Sequence, residues 1–261
     1  MNPMLNTAIK AARKAGAIIM RGFDDLDHIK IEKKGMNDFV SEVDHKAEQT
    51  IIEAILGAYP DHAILAEESG PQGHSDYLWI IDPLDGTTNF LHGFPQFAVS
   101  IAFSYRNTLA QAVVFDPFKN ELFTASKGEG ATLNDRRLRV SRTDQLLQAL
   151  LGTGFPFREF GHFDEYLHTL ASFMKTTAGI RRPGAAALDL AYVAAGRLDG
   201  FWEYDLRPWD MAAGALLVKE AGGLVADFEG ESHFLDKGMI LAANPKIFNQ
   251  MIQVLKKIRQ G

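Results

Sequence analysis

Apolar and polar residues recur along this chain with two different periods. Over residues 2–21, Leu5, Ala8, Ile9, Ala12 and Ile19 fall on one side of a helix, with Lys10, Arg13 and Lys14 on another. A second helix is predicted from Ser41, where Ser41-Glu42-Val43-Asp44 resembles a capping box. It continues through Ile51, Ile52, Ile55 and Leu56 and stops before Pro60. The rhythm then changes to short apolar runs at 63–66, 78–81, 97–103, 109–115 and 121–125. Turn residues such as Asp116-Pro117 and Lys119-Asn120 separate several of them, as in a meandering sheet.

The second half mixes the two periods. Strands are predicted at 149–153, 201–204, 225–226 and 239–243, and a helix over 163–174. Gly184 opens an alanine-rich helix that Gly196 closes, and another covers 209–221 before Gly222-Gly223. Asn244-Pro245 starts the last helix, which ends on Lys256, Lys257 and Arg259 near its negative dipole end. This reads as an α+β half over 1–140 and an α/β half over 141–261, tightly joined across a soft boundary near 138–146.

Composition narrows the options. The 261 residues carry a net charge of −6, so direct nucleic-acid binding is not expected. With no cysteine, disulfides, thiolate zinc sites and cysteine nucleophiles are excluded. Residues 5–20 form an amphipathic pattern rather than an export signal, and no stretch is apolar enough to span a bilayer. A cytoplasmic protein without membrane contact is the expectation.

The run from Trp79 to Phe90 carries the strongest chemical signal. An apolar strand ends in Asp82-Pro83-Leu84-Asp85-Gly86-Thr87-Thr88. Carboxylates at a buried strand end cost desolvation unless a cation offsets it, and a hard divalent ion suits them. Gly86 allows a tight turn whose following amides can face an anion. The plain alternative is a capped turn. Glu67-Glu68-Ser69-Gly70 ends another strand; alone it reads equally as a solvated loop. Asp210, after Trp209, is either a helix N-cap or a distant carboxylate closing a metal site. Asp44 is a capping residue or a catalytic one, and Lys33 a surface lysine or a phosphate contact from a loop. In Arg181-Arg182-Pro183-Gly184-Ala185-Ala186, small residues at a helix start permit close ligand approach or merely tight packing. Glu203 is a hydroxyl-binding group or an exposed strand end. No His-Glu-x-x-His or Gly-x-Ser-x-Gly pattern occurs. Asp85-Gly86-Thr87 resembles the haloacid-dehalogenase nucleophile loop, but Pro83 stands where that chemistry needs an aspartate.

Taken in order, the Glu67-Glu68 pair, the Trp79–Phe90 block and Trp209-Asp210 with Ala221-Gly222-Gly223 resemble the motifs of the inositol monophosphatase family, over essentially the whole chain. Residues 1–6, 37–40 and 186–193 are similar to its bacterial SuhB branch. The resemblance implies the αβαβα five-layer sandwich shared with fructose-1,6-bisphosphatases, and hydrolysis of inositol monophosphate or related polyol phosphates by direct in-line attack of a metal-activated water. It implies two or three Mg2+ held by Glu67, Asp82, Asp85, Asp210 and the Leu84 carbonyl, with Li+ inhibitory. Glu67, Thr87 and Asp44 would serve catalysis; Gly86, Thr87, Thr88 and Lys33 the phosphate; Gly184, Ala186 and Glu203 the alcohol. Ala185 replaces a threonine common in animal members, which leaves alcohol preference open. Sugar bisphosphates, histidinol phosphate and phosphonucleotides are alternative substrates. The family implies a homodimer, and the branch implies a second role with transcription antitermination factors or RNA polymerase.

Overall fold

The computed structural model describes residues 2–35, 38–156 and 160–260, without the side chains of 32–35, 38, 39 and 260. The opening amphipathic pattern becomes helix α1 (Pro3–Phe23), capped by Asn2, whose side chain accepts from the Met4 amide at 2.9 Å. A hairpin of β1 (Ile31–Gly35) and β2 (Asp38–Ser41) leads into α2 (Glu42–Ala58). The expected capping box is present: Ser41 Oγ accepts from Val43 N, and Asp44 Oδ2 accepts from Ser41 N.

The larger sheet contains β3 (Ala63–Ala66), β4 (Gly70–Gln72), β5 (Tyr77–Asp85), β6 (Ala98–Tyr105), β7 (Thr108–Asp116), β8 (Glu121–Ser126), β9 (Gly130–Leu133) and β10 (Arg136–Arg137). A five-residue helix, α3 (Thr87–Leu91), separates β5 from β6. The spatial order is β10-β9-β8-β7-β6-β5-β3-β4. From β5 to β10 the strands form an antiparallel meander, whereas β3 and β5 run parallel. Parallel pairing brings two strand ends side by side on one edge.

Strand alternation sorts the core. On β5 and β6, Trp79, Ile81, Val99, Ile101 and Phe103 pack with α1 and α2, while Ile80, Ala98 and Ala102 face the other way. That second face is small-residued, so helices can approach it closely. Against it lie α5 (Ala186–Ala194) and α6 (Pro208–Glu220). Residues Met211 to Val218 of α6 are buried on every side because a second sheet covers the helix's far surface.

That second sheet has the order β12-β11-β13-β15-β14, built from β11 (Leu150–Thr153), β12 (Gly179–Arg181), β13 (Gly200–Glu203), β14 (Leu224–Ala226) and β15 (Ile240–Ala243). Its outer face carries α4 (Phe163–Thr176) and α8 (Pro245–Gln260), with Phe173, Trp202, Leu241, Ile247 and Met251 between them. A short α7 (Phe234–Lys237) precedes β15. The layers therefore run α1/α2, sheet, α5/α6, sheet, α4/α8, the expected five-layer αβαβα sandwich. The chain crosses from one sheet to the other between Arg137 and Leu150. The hairpin β1–β2, the strands β4, β9, β10 and β12, and the helices α3 and α7 were not predicted; each is too short to display a period.

Candidate active site

The Asp82–Asp85 segment is shaped by a bulge. Asp82 pairs with Ser100 and Asp85 with Ala98, so three steps on β5 oppose two on β6. In a regular strand, side chains three apart point to opposite faces. The extra residue turns both carboxylates into one cavity. Pro83, which lacks an N–H, is tolerated at such a bulge. The Leu84 amide donates to Asp82 Oδ1 at 2.9 Å, fixing that carboxylate from within the turn. Gly86 follows with φ 90°, and a side chain there would place its Cβ 2.7 Å from the Gln96 carbonyl oxygen.

Parallel β3 delivers Glu67 next to this turn, its amide donating to the Ile81 carbonyl at 3.1 Å. From the second half, α6 delivers Asp210. Asp210 is not the N-cap considered from sequence: Arg207 holds that place, and Asp210 Oδ2 accepts from the Arg207 amide at 2.7 Å. One carboxylate oxygen each of Asp82, Asp85 and Asp210 lies within 4.8 Å of the others. Asp82 is buried, and its carboxyl is pushed well above the usual range by desolvation, then by the charges of Glu67, Asp85 and Asp210 and a hydrogen bond with Glu67. Crowded acids with only oxygen donors form a strongly negative site.

Beside it, Thr87 Oγ1 stands 2.9 Å from both Asp44 Oδ1 and the Leu84 carbonyl oxygen. Asp44 is fully buried. Desolvation raises its pKa, with hydrogen bonds from Ser41 and Thr87 opposing that rise. Glu67, Asp82, Leu84, Asp85, Gly86, Thr87, Thr88, Gly184, Ala186, Glu203 and Asp210 all line one cavity of about 420 Å3. Asp44 joins through Thr87. The Lys33 side chain lies outside the described residues. A second hollow of about 550 Å3, between α1 and α2, is lined partly by the Lys46–Glu42 ion pair and by His28 and Asp25, which are hydrogen-bonded to each other.

Several positions that hold this geometry were missed in the sequence. Glu48, buried on α2, accepts from the Glu68 and Ser69 amides at 2.8 and 2.9 Å and so fixes the turn carrying Glu67. Ser100 Oγ donates to the Trp209 carbonyl at 3.1 Å, anchoring the residue before Asp210. Asp85 Oδ2 accepts from the Ala187 amide at 2.7 Å, joining the two halves. Gly154 has the Glu203 carboxylate lying across it; a Cβ there would sit 1.7 Å from Glu203 Oε1. Asp189, buried in α5, is pushed well above the usual range by desolvation and by Glu203 and Asp85, and its Oδ1 has no hydrogen-bond partner among the described residues. The signal for Glu48 and Asp189 was present: Glu48 shares the buried face of α2 with Val43, Asp44, Ala47, Ile51 and Ile55, and Asp189 lies among the Ala and Leu of α5. For Gly154 there was none.

A model of the inositol monophosphatase family matches residues 1–260. The chain is 57% identical to the Nus factor SuhB of Pseudomonas aeruginosa over 263 residues, covering 98% of this chain and 97% of that one. It resembles the crystal structure of extragenic suppressor protein suhB from Bartonella henselae with a TM-score of 0.95 and 45% identity, over 98% of this chain and 99% of that one. An IMPase from Thermotoga maritima gives a TM-score of 0.89 and 36% identity, with 99% of each chain covered.

Proposed function

Because this chain belongs to the inositol monophosphatase family, we propose that it is a magnesium-dependent phosphomonoesterase acting on inositol monophosphate and related polyol phosphates. The convergence of Asp82, Asp85 and Asp210 from both halves of the chain, beside Glu67, carries this reading. The donor set fits the ion: it is all oxygen, and burial together with the charges of Glu67, Asp85 and Asp210 makes the Asp82 carboxylate costly unless a cation offsets it. Glu67, Asp82, Asp85, Asp210 and the Leu84 carbonyl would hold two or three Mg2+. When bound, the ions neutralise phosphoryl charge and acidify water.

The chain's own residues then orient the water and take up its proton. Thr87 donates its one hydroxyl hydrogen bond to ionised Asp44 Oδ1, which leaves an Oγ1 lone pair to accept a hydrogen bond from the attacking water. As the new P–O bond forms and the ester P–O bond breaks, the water's proton passes by way of Thr87 Oγ1 to Asp44, and the leaving alkoxide takes a proton from solvent. Gly86, Thr87 and Thr88 present first-turn amides, without helical partners, to phosphoryl oxygens, and Lys33, on the β1–β2 hairpin, is the further phosphate contact in this reading. Gly184 and Ala186 admit the alcohol close to the backbone, while Glu203 accepts from its hydroxyls. Attack is in line, with no phospho-enzyme.

Phosphate release from myo-inositol 1-phosphate, with and without Mg2+ and Li+, tests this directly. Release that requires Mg2+ and falls with Li+ is expected; no release from any polyol ester in Mg2+ refutes it. Acid quench during turnover should leave no phosphate on the protein. Helix α4 supports a homodimer: Phe163, Leu167 and Met174 are 40, 43 and 66% exposed along one side, an apolar stripe that a second copy would cover. Light scattering reads that state.

A second reading is supported by the 57% identical relative's name, Nus factor SuhB: a role as a transcription antitermination partner. Arg181, which ends β12, and Arg182, which lines the cavity, are exposed and are candidate contacts. Pulldown of RNA polymerase by wild type and by Asp85→Asn separates this role from catalysis.

A further inference from the structure

Asn89, which the mechanism does not use, ties the two halves together beside the cavity. Its Nδ2 lies 2.8 Å from the Gln96 carbonyl oxygen, 2.9 Å from that of Pro183 and 3.2 Å from that of Gly184. Three carbonyl oxygens around one atom identify it as the amide nitrogen, since an oxygen there would be repelled by all three. The two N–H bonds serve three acceptors, so one is shared. Asn89 belongs to α3, whose first turn faces the cavity; Pro183 and Gly184 lead into α5. Downstream, the Ala187 amide is held by Asp85. The segment from Pro183 to Ala187 is thus tied at both ends to the strand–turn–helix that carries the carboxylates, at its beginning by Asn89 and at its end by Asp85.

We propose that Asn89 is a positioning residue that sets the distance between the phosphate side of the cavity and the Gly184–Ala186 side that receives the alcohol, and thereby selects among phosphate esters. The inference rests on the phosphomonoesterase reading for its substrate consequence, but not for its structural one. Without the amide, three carbonyl oxygens lose their common donor and the start of the segment loses its tie to α3. An ester whose alcohol fills that side is then penalised more than one whose alcohol does not.

The test uses the full-length protein and Asn89→Ala, with two readouts. In hydrogen exchange followed by mass spectrometry, without substrate, residues 183–187 should exchange about tenfold faster in the variant, with β5 and β6 unchanged. In kinetics with Mg2+, the ratio of kcat/KM for myo-inositol 1-phosphate to that for phenyl phosphate should fall about tenfold, mainly through KM for the polyol ester. Unchanged exchange at 183–187 overturns the clamp, and so does a parallel loss on both esters, because a general loss of fold or of metal binding moves both together. If wild type hydrolyses neither ester, the phosphomonoesterase reading fails while the exchange measurement still decides the clamp. Should Asn89→Ala not fold, Asn89→Ser, which retains one donor, answers through the same readouts with a smaller change.

Discussion

Replacing Asp85 by asparagine separates the electrostatics of the site from its architecture. Carboxylate oxygens of Asp82, Asp85 and Asp210 approach within 4.8 Å of one another. At an effective dielectric constant of about 20, two full charges at that distance repel by about 3–4 kcal/mol. Protonation of Asp82 already relieves part of this, and half-buried Asp210 is screened by solvent. Asparagine keeps an oxygen to accept from Ala187 N, so the helix contact survives in weaker, neutral form. The net gain for the metal-free protein is then about 1–2 kcal/mol, equivalent to a rise in Tm of roughly 3–6 °C for a chain of this size. Mg2+ should do the opposite: at 100-fold over Kd it stabilises wild type by about 2.7 kcal/mol, and it should leave Asp85→Asn nearly unmoved. Differential scanning calorimetry in EDTA and in Mg2+ reads both quantities, and phosphate release should fall by at least about 100-fold. A variant that melts lower than wild type in EDTA, yet takes the same Mg2+ shift, would refute both the crowding argument and the role of Asp85 as a ligand.

Other consequences follow from the same geometry. Asp82, Asp44 and Asp189 all hold their protons above the ordinary carboxylate range, so the stability they contribute is complete below the unfolded pKa of about 4 and is lost as pH rises through their folded values. The Tm of the metal-free protein should therefore decline with pH above that range, Mg2+ should flatten the slope by displacing the Asp82 proton, and Asp189→Asn should be stabilising only on the high-pH side. In Gly154→Ala the new Cβ meets the flexible end of Glu203, so Tm should change by less than about 2 °C, while KM for a polyol phosphate should rise about tenfold as that carboxylate is displaced. Glu48→Ala leaves the Glu68 and Ser69 amides without their acceptor and should cost about 2 kcal/mol. It should also weaken the Mg2+-induced Tm shift by loosening the Glu67 turn, with Glu48→Gln milder on both counts.

Much of this was legible because the long elements announce themselves. The 3.6-residue stripe of Leu5, Ala8, Ala12 and Ile19 and the box at Ser41-Asp44 are local facts, and they became α1 and the start of α2 at nearly the predicted places. The carboxylate-rich turn after Ile81 was visible for the same reason, since Pro, Gly and two Asp in seven residues satisfy neither a helix nor a regular strand. Short pieces escaped. Strand β12 has three residues and takes its shape from β11, and α3 depends on Gly86, Asn89 and the Gln96 carbonyl closing round one turn. Asp210 was noticed for the right residue and the wrong position in its helix, because Arg207-Pro208 begins α6 earlier than the apolar pattern does.

Local order in this chain follows from hydrophobic period, capping chemistry and turn residues, and those lie entirely within neighbouring amino acids. Which acids meet does not. Glu67 and Asp82 become neighbours because β3 and β5 pair in parallel, Asp82 and Asp85 share a face because a bulge adds one residue, and Asp210 reaches them because α6 is sandwiched between two sheets. The sequence could name the carboxylates; only the tertiary structure could bring residues up to 143 positions apart, from 67 to 210, into one cavity, because sheet pairing and helix packing are long-range choices that no local pattern encodes.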